Sequence, residues 1–206
     1  MNTSKLQYEI INIYNAKEYT RRCKTGVFML RLVLEEITSH VKSMDIDEDA
    51  TMLLEKYLCE ASKIFICGFG ESELVGKAFA SRLSEIRRNV FVISETIVPE
   101  INAGNVLITI SGSGETEPTL TITKKAADIG AKIISITSFP DSPLAQMSDV
   151  VIEIPGRIKA KTKNYIERRV SGEYEPLTPF GALFEISARI YLEGIIAELA
   201  KKEVNL

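Results

Sequence analysis

Apolar residues near the start of the chain recur at helical spacing. Val27, Leu30, Leu34, Ile37 and Val41 fall three or four apart, within a stretch (residues 5–42) that has no proline and one glycine. This period predicts one or two amphipathic helices. An acidic break at 44–49 follows, where Asp47 is placed to cap a helix running through Met52, Leu53, Tyr57 and Leu58 to about Ser62.

Beyond residue 63 the pattern changes. Short apolar runs at 64–67, 90–94, 106–110, 133–137 and 150–154 alternate with helix-length segments at 74–87, 119–129 and 143–147. Most runs are apolar without a clean period of two, as expected of strands buried on both faces of a parallel sheet. A last helix, from about Pro179 to Lys202, carries Leu183, Ile186, Ile190, Ile195 and Leu199. The βαβ order predicts an α/β three-layer sandwich with a five-stranded parallel sheet, flavodoxin- or Rossmann-like, plus an N-terminal helical extension. The expected division is 1–45 for the extension, packing on the domain or on a neighbouring subunit, and 46–206 for the domain. Residues 156–178 show no obvious element and hold Arg157, Lys159, Lys161, Lys163, Arg168 and Arg169, a basic functional loop or a surface hairpin.

Composition narrows the function classes. A chain of 206 residues, 45% hydrophobic and 26% charged, can bury a full core and is not disordered. Its net charge of -3 gives no general reason to expect nucleic acid or an anionic membrane as partner, so any anion site must be local. No apolar run approaches the roughly 18 to 20 residues that span a bilayer. Charged residues such as Lys5, Glu9, Lys17 and Arg21 interrupt any secretory apolar core. Cys23, Cys59 and Cys67 are odd in number and form no C-x-x-C pair, which indicates neither a disulfide framework nor a zinc site. A cytoplasmic location with reduced thiols is the expectation.

The candidate chemistry lies in two loops that share one logic: strand, small residues, helix. The first is "IFICGFGESELVGKAF" at 64–79, and the second is "ITISGSGETEPTL" at 109–121. In an open parallel sheet, ligands bind beyond the carboxyl ends of the strands, where loops meet helix N-termini. Glycine lets backbone N–H groups approach an anion, hydroxyls add donors, and a helix N-terminus adds partial positive charge. Ser111, Gly112, Ser113, Gly114 and Thr116 therefore read as a phosphate cradle, with Ser72 a hydroxyl from the first loop, supported by Gly68, Gly70 and Glu115. An isolated S-G-S-G is equally compatible with a plain tight turn. A dinucleotide site is a competitor, since Gly68-Phe69-Gly70 follows a strand and Glu95 ends the next, but Glu73 stands where the third fingerprint glycine belongs.

Over residues 30–200 the sequence resembles the SIS (sugar isomerase) domains, and among them the 6-phospho-3-hexuloisomerases. The resemblance rests on Gly68, Gly70 and Ser72 with the following "GKAFASRL", on "SETIVPEINAGNVLITISGSGET", on "VVIEIPG", and on "PFGALFE" opening the final helix. It implies interconversion of D-arabino-hex-3-ulose 6-phosphate and fructose 6-phosphate through an enediol, without metal or other cofactor. It further implies a phosphorylated sugar as partner, Glu185 as proton acceptor, and a homo-oligomer, either dimer or tetramer. Read without the family, Glu185 is an ordinary solvated carboxylate on a helix face. His40, the sole histidine, sits far from both loops in sequence.

Two positions depart from the pattern. Glu71 and Glu73 stand where the hexuloisomerases carry arginine and glycine, and Glu71 reverses a charge that would face the ligand. Lys77, Arg82 or the basic segment could compensate. The sequence printed here ends in "KKEVNL", without the tail associated with the family. A non-catalytic sugar-phosphate sensor and an isomerase of a pentose or heptose phosphate stay open as alternatives.

Overall fold

The computed structural model describes residues 28–157, 170 and 179–204. The expected helix before residue 28 and nearly all of the basic segment lie outside them. Two compact units divide the chain, Met1–Ser39 and His40–Leu206, and each is described by itself. Helix α1 is Phe28–Lys42, and helix α2 is Glu48–Glu60. Asp47 caps α2 as expected, its carboxylate accepting from Ala50 N at 2.9 Å. Glu48 and Asp49 in the first turn suit the helix dipole.

The second unit is a parallel sheet between helical layers. Strands β1 (Ile64–Gly68), β2 (Val90–Val92), β3 (Val106–Ile110), β4 (Lys132–Thr137) and β5 (Val150–Glu153) lie in the order β2-β1-β3-β4-β5. Every pairing is parallel. The crossovers are α3 (Glu71–Glu85), α4 (Glu117–Ile129) and α5 (Pro143–Gln146), and the chain returns in α6 (Pro179–Val204). Side chains alternate between the two faces of the sheet. Ile64, Ile66, Ile108, Ile110, Ile134 and Ile136 pack with Leu58, Phe79, Phe184 and Leu192 of α2, α3 and α6. Phe65, Cys67, Leu107 and Ile133 pack on the opposite side with Ala126 of α4.

The expectation of strands buried on both faces holds for β1 and β3, in which every residue is buried. It fails for β2, which ends at Val92 and is only half-buried, because it is an edge with one neighbour. The expected crossover at 143–147 is a four-residue helix capped by Ser142, whose hydroxyl accepts from Ala145 N at 3.3 Å. Among the described residues no helix is long and apolar enough to cross a membrane.

Helix α3 approaches β1 most closely at Gly76, where an added Cβ would lie 2.7 Å from Ile66 Cγ2. Alanine would gain about 1 kcal/mol of helix propensity there, whereas forcing a methyl into a packed core costs about 1–3 kcal/mol. The branched Ile66 side chain is stiff at χ1, so the packing cost wins. Gly76→Ala should therefore lower stability by about 1 kcal/mol in urea titration, against the direction that helix propensity alone gives.

Candidate active site

Sheet register decides where the small-residue loops emerge. Gly68, the last residue of β1, pairs with Ile110, the last of β3, and Ile110 pairs in turn with Ile136 of β4. The loops after β1 and β3 thus leave the sheet at one height. The chain goes from β1 outward to β2 on one side and then crosses to β3 on the other, so these loops flank the point where strand order reverses. That is the crevice in which open α/β sheets bind ligands.

In the second loop the hydroxyls are organised by their own backbone. Ser111 Oγ accepts from Gly114 N at 3.2 Å and lies 3.0 Å from Thr116 Oγ1. Ser113 Oγ accepts from Glu115 N at 3.2 Å. Ser111, Gly112, Gly114 and Thr116 are buried, Ser113 is half-buried and Glu115 is exposed. Thr116 occupies the N-cap position of α4 but its side chain makes no capping bond, and a proline lies in the first turn behind it. The helix start therefore keeps donors that the side chain leaves unused.

The glycines here serve packing as well as access. A Cβ on Gly112 would stand 2.8 Å from Phe184 Cδ1 of α6, and one on Gly114 would stand 2.1 Å from Ser142 Oγ. Gly114 also has φ +63°, which costs any L side chain. The sequence reading, that small residues clear space for a ligand, is thus incomplete: both glycines clear space for the protein's own α6 and α5 cap.

The first loop meets α6 at its catalytic candidate. Gly70, with φ +65°, is the N-cap of α3, and Ser72 in the first turn donates to Glu185 Oε1 at 3.3 Å. Gly68 packs so closely under that turn that a Cβ would lie 2.9 Å from Ser72 O. Glu185 is 6% exposed, against the solvated helix-face alternative. Its second oxygen, Oε2, is buried and has no hydrogen-bond partner among the described residues. Burial pushes the Glu185 carboxyl above its ordinary value of 4.5. Arg157 opposes this, nearby Glu71 adds to it, and the Ser72 hydrogen bond works against it.

Arg157 belongs to this site although sequence reasoning placed it only in a basic segment. Its Nη2 is 3.8 Å from Glu185 Oε1. An added Cβ on Gly112 would stand 3.2 Å from its Nε, so its side chain also lies against the S-G-S-G loop. The available signal was its position directly after "VVIEIPG", at the end of a parallel strand. The cations weighed earlier are engaged elsewhere: Lys77 with Glu73 and Glu95, and Arg82 with Glu85 and Glu193. Glu73 also accepts from Ser94 Oγ at 2.7 Å, which holds its carboxyl below the usual range. His40 Nε2 donates to Pro155 O at 3.0 Å, which ties α1's last turn to the strand end just ahead of Arg157.

A cleft of about 720 Å³ lies beside β5, lined among others by Asp45, Asp47, Thr51, Glu153 and Tyr191. Among the described residues its wall has three carboxylates and no lysine or arginine, the wrong sign for a phosphate. Among the described residues no three His, Cys, Asp or Glu side chains are grouped to hold a metal ion. Gly114→Ala should cost about 2–3 kcal/mol, combining its left-handed backbone with the Ser142 clash. A denaturation midpoint equal to wild type would show that the loop relaxes freely.

Sequence and structure comparisons agree with this fold. The SIS domain matches residues 57–168. An uncharacterised protein of Aeropyrum pernix is 44% identical, over 71% of this chain and 69% of its own length. A protein of Methylomonas aminofaciens named 3-hexulose-6-phosphate isomerase is 36% identical, over 69% of this chain and 74% of its own. A crystal structure of a hypothetical protein from Methanococcus jannaschii, described as inferring the function of 3-hexulose-6-phosphate isomerase, superposes with a TM-score of 0.66 at 29% identity, covering 86% of this chain and 92% of that one. With the domain matching more than half of its length, and with both signature loops at the strand ends, this chain belongs to the SIS domain family.

Proposed function

We propose that the protein is a sugar-phosphate isomerase that interconverts D-arabino-hex-3-ulose 6-phosphate and fructose 6-phosphate, with Glu185 as the base. The observation that carries this reading is a buried carboxylate next to Phe184, the residue packed on Gly112 of the second loop, with one oxygen held by Ser72 of the first loop and the other left without a partner among the described residues. The names of relatives called 3-hexulose-6-phosphate isomerase support this choice of substrate.

Moving a carbonyl from C3 to C2 requires loss of the proton on C2, formation of an enediol across C2 and C3, return of a proton to C3, and net transfer of the O2 hydroxyl proton to O3. A single carboxylate that reaches both carbons performs both transfers, accepting the proton and giving it back. Burial suits the task because it raises the basicity of the carboxylate toward neutral pH. Ser72 holds Oε1, which fixes the carboxylate plane and leaves Oε2 to meet the substrate. The S-G-S-G loop, with Ser113 half-buried and Thr116 at the start of α4, binds the phosphate and so positions the sugar carbons over Glu185.

Glu185→Gln keeps the shape and removes the base. In an assay of fructose 6-phosphate formation from the 3-ulose, kcat should fall by about two to four decades with KM little changed. Wild-type kcat in this variant would remove Glu185 from the mechanism.

The base must be ionised to accept a proton, so kcat/KM should rise with pH through a midpoint above 4.5. Glu71→Gln, which removes a neighbouring negative charge, should move that midpoint down. Ser72→Ala, which removes a hydrogen bond to the ionised form, should move it up. A pH–rate profile of the three proteins reads both signs, and a shift opposite to either would contradict the assignment.

A further inference from the structure

The first loop opens α3 with Glu71, whose charge acts on Glu185 and would repel a phosphate dianion, so positive charge from elsewhere would favour binding. Among the described residues the geometry singles out one cation. Arg157 Nη2 approaches Glu185 Oε1 at 3.8 Å, and its Nε would be 3.2 Å from a Cβ on Gly112, so the side chain spans from the base to the S-G-S-G loop. The side chain is 17% exposed, partly screened from water.

Its position is built by the backbone around it. After β5, Ile154 O accepts from Ser138 Oγ at 2.6 Å, and Ser138 Oγ accepts from Arg157 N at 3.2 Å. Ser138 follows β4, and its own N–H donates to Gly112 O at 3.1 Å. One serine thus locks the S-G-S-G loop, the end of β5 and Arg157 together. Between them Gly156, at φ +135°, lies against α6 so tightly that a Cβ would be 2.6 Å from Phe184 N. His40 holds Pro155 O from the other side. A cation with so many supports over a hydroxyl-lined loop is placed as guanidinium groups are when they recognise phosphate by a two-pronged contact.

We propose that Arg157 is the phosphate-binding cation of this site, exchanging contact with Glu185 for contact with the ligand's phosphate. This rests on the reading of the crevice as a sugar-phosphate site. It also gives Glu71 a context, because a positive charge delivered from the β5 end leaves the first-loop position without need of one.

The test is calorimetric binding of fructose 6-phosphate to the full-length protein and its variants, alongside turnover of the same compound. Arg157→Gln should weaken binding roughly 10- to 100-fold, the usual scale for a charge-assisted contact. Arg157→Lys, which keeps charge but loses the fork, should fall between that variant and wild type. Lys77→Gln, whose cation pairs with Glu73 and Glu95, should bind within about twofold of wild type and excludes a mere net-charge effect. Adding Glu71→Arg to Arg157→Gln should recover part of the loss.

Affinity within about twofold of wild type in Arg157→Gln would overturn the proposal. Should that variant fail to fold, the Arg157 Nε–H resonance of the wild-type protein, assigned with Arg157→Lys, decides. A shift on adding fructose 6-phosphate supports the contact, and no shift overturns it. Wild-type protein that binds the compound without turning it over would remove the isomerase reading while the affinities still judge Arg157. Wild-type protein that does not bind it would overturn both.

Discussion

The site depends on one register constraint, the parallel pairing of Gly68 with Ile110 across the place where strand order reverses. With these last residues opposite one another, the loops after β1 and β3 emerge side by side. Slipping a parallel pair by one residue would exchange the two faces of a strand, setting Ile64 and Ile66 where Phe65 and Cys67 pack. The packing of Ile64 and Ile66 on one side, and of Phe65 and Cys67 on the other, therefore fixes the level of both loops. The core and the site are specified by the same alternation.

Close contact then brings α6 across the loops. Gly112 and Gly156 press on the same residue, Phe184, from two strand ends, and Glu185 follows it directly in sequence. Phe184 is fully buried, so the helix has little freedom to rotate and the carboxylate is carried into the crevice rather than to solvent. Burying a carboxylate with one oxygen left without a partner among the described residues is unfavourable for the folded state. Burial raising the pKa outweighs the opposing effects of Arg157 and Ser72, and a group held in that condition beside a strand-end loop is a candidate for proton transfer.

Much of this was legible along the chain, and the illegible parts share a cause. The interior strands and the helix cap at Asp47 declare themselves through local pattern, because burial on both faces and capping act over a few residues. The early end of β2 does not, since being an edge is a property of the sheet and not of "VFVIS". Ser111, Ser113 and Thr116 stood out as chemistry by composition and position. Glu185 stood out only through the resemblance carried by "PFGALFE", for a lone glutamate on a helix is ordinarily solvated. Arg157 was hidden because its meaning comes from Gly112 and Glu185, distant in sequence and joined to it only by the fold. The glycines of the second loop are read along the chain for access alone, since contacts with Phe184 and Ser142 cannot be read locally.

The central claim is that Glu185 moves a proton between C2 and C3 of a phosphorylated hexulose, and the position of isotope exchange tests it most directly. In deuterium oxide, fructose 6-phosphate offered to the enzyme should lose the proton at C3, pass through the enediol and regain deuterium there. NMR should therefore show deuterium at C3 and none at C1, with exchange dependent on the Glu185 carboxylate. Deuterium at C1 would instead mean an enediol across C1 and C2, the chemistry of an aldose–ketose isomerase, and no exchange at either carbon while the sugar binds would contradict base catalysis at this site.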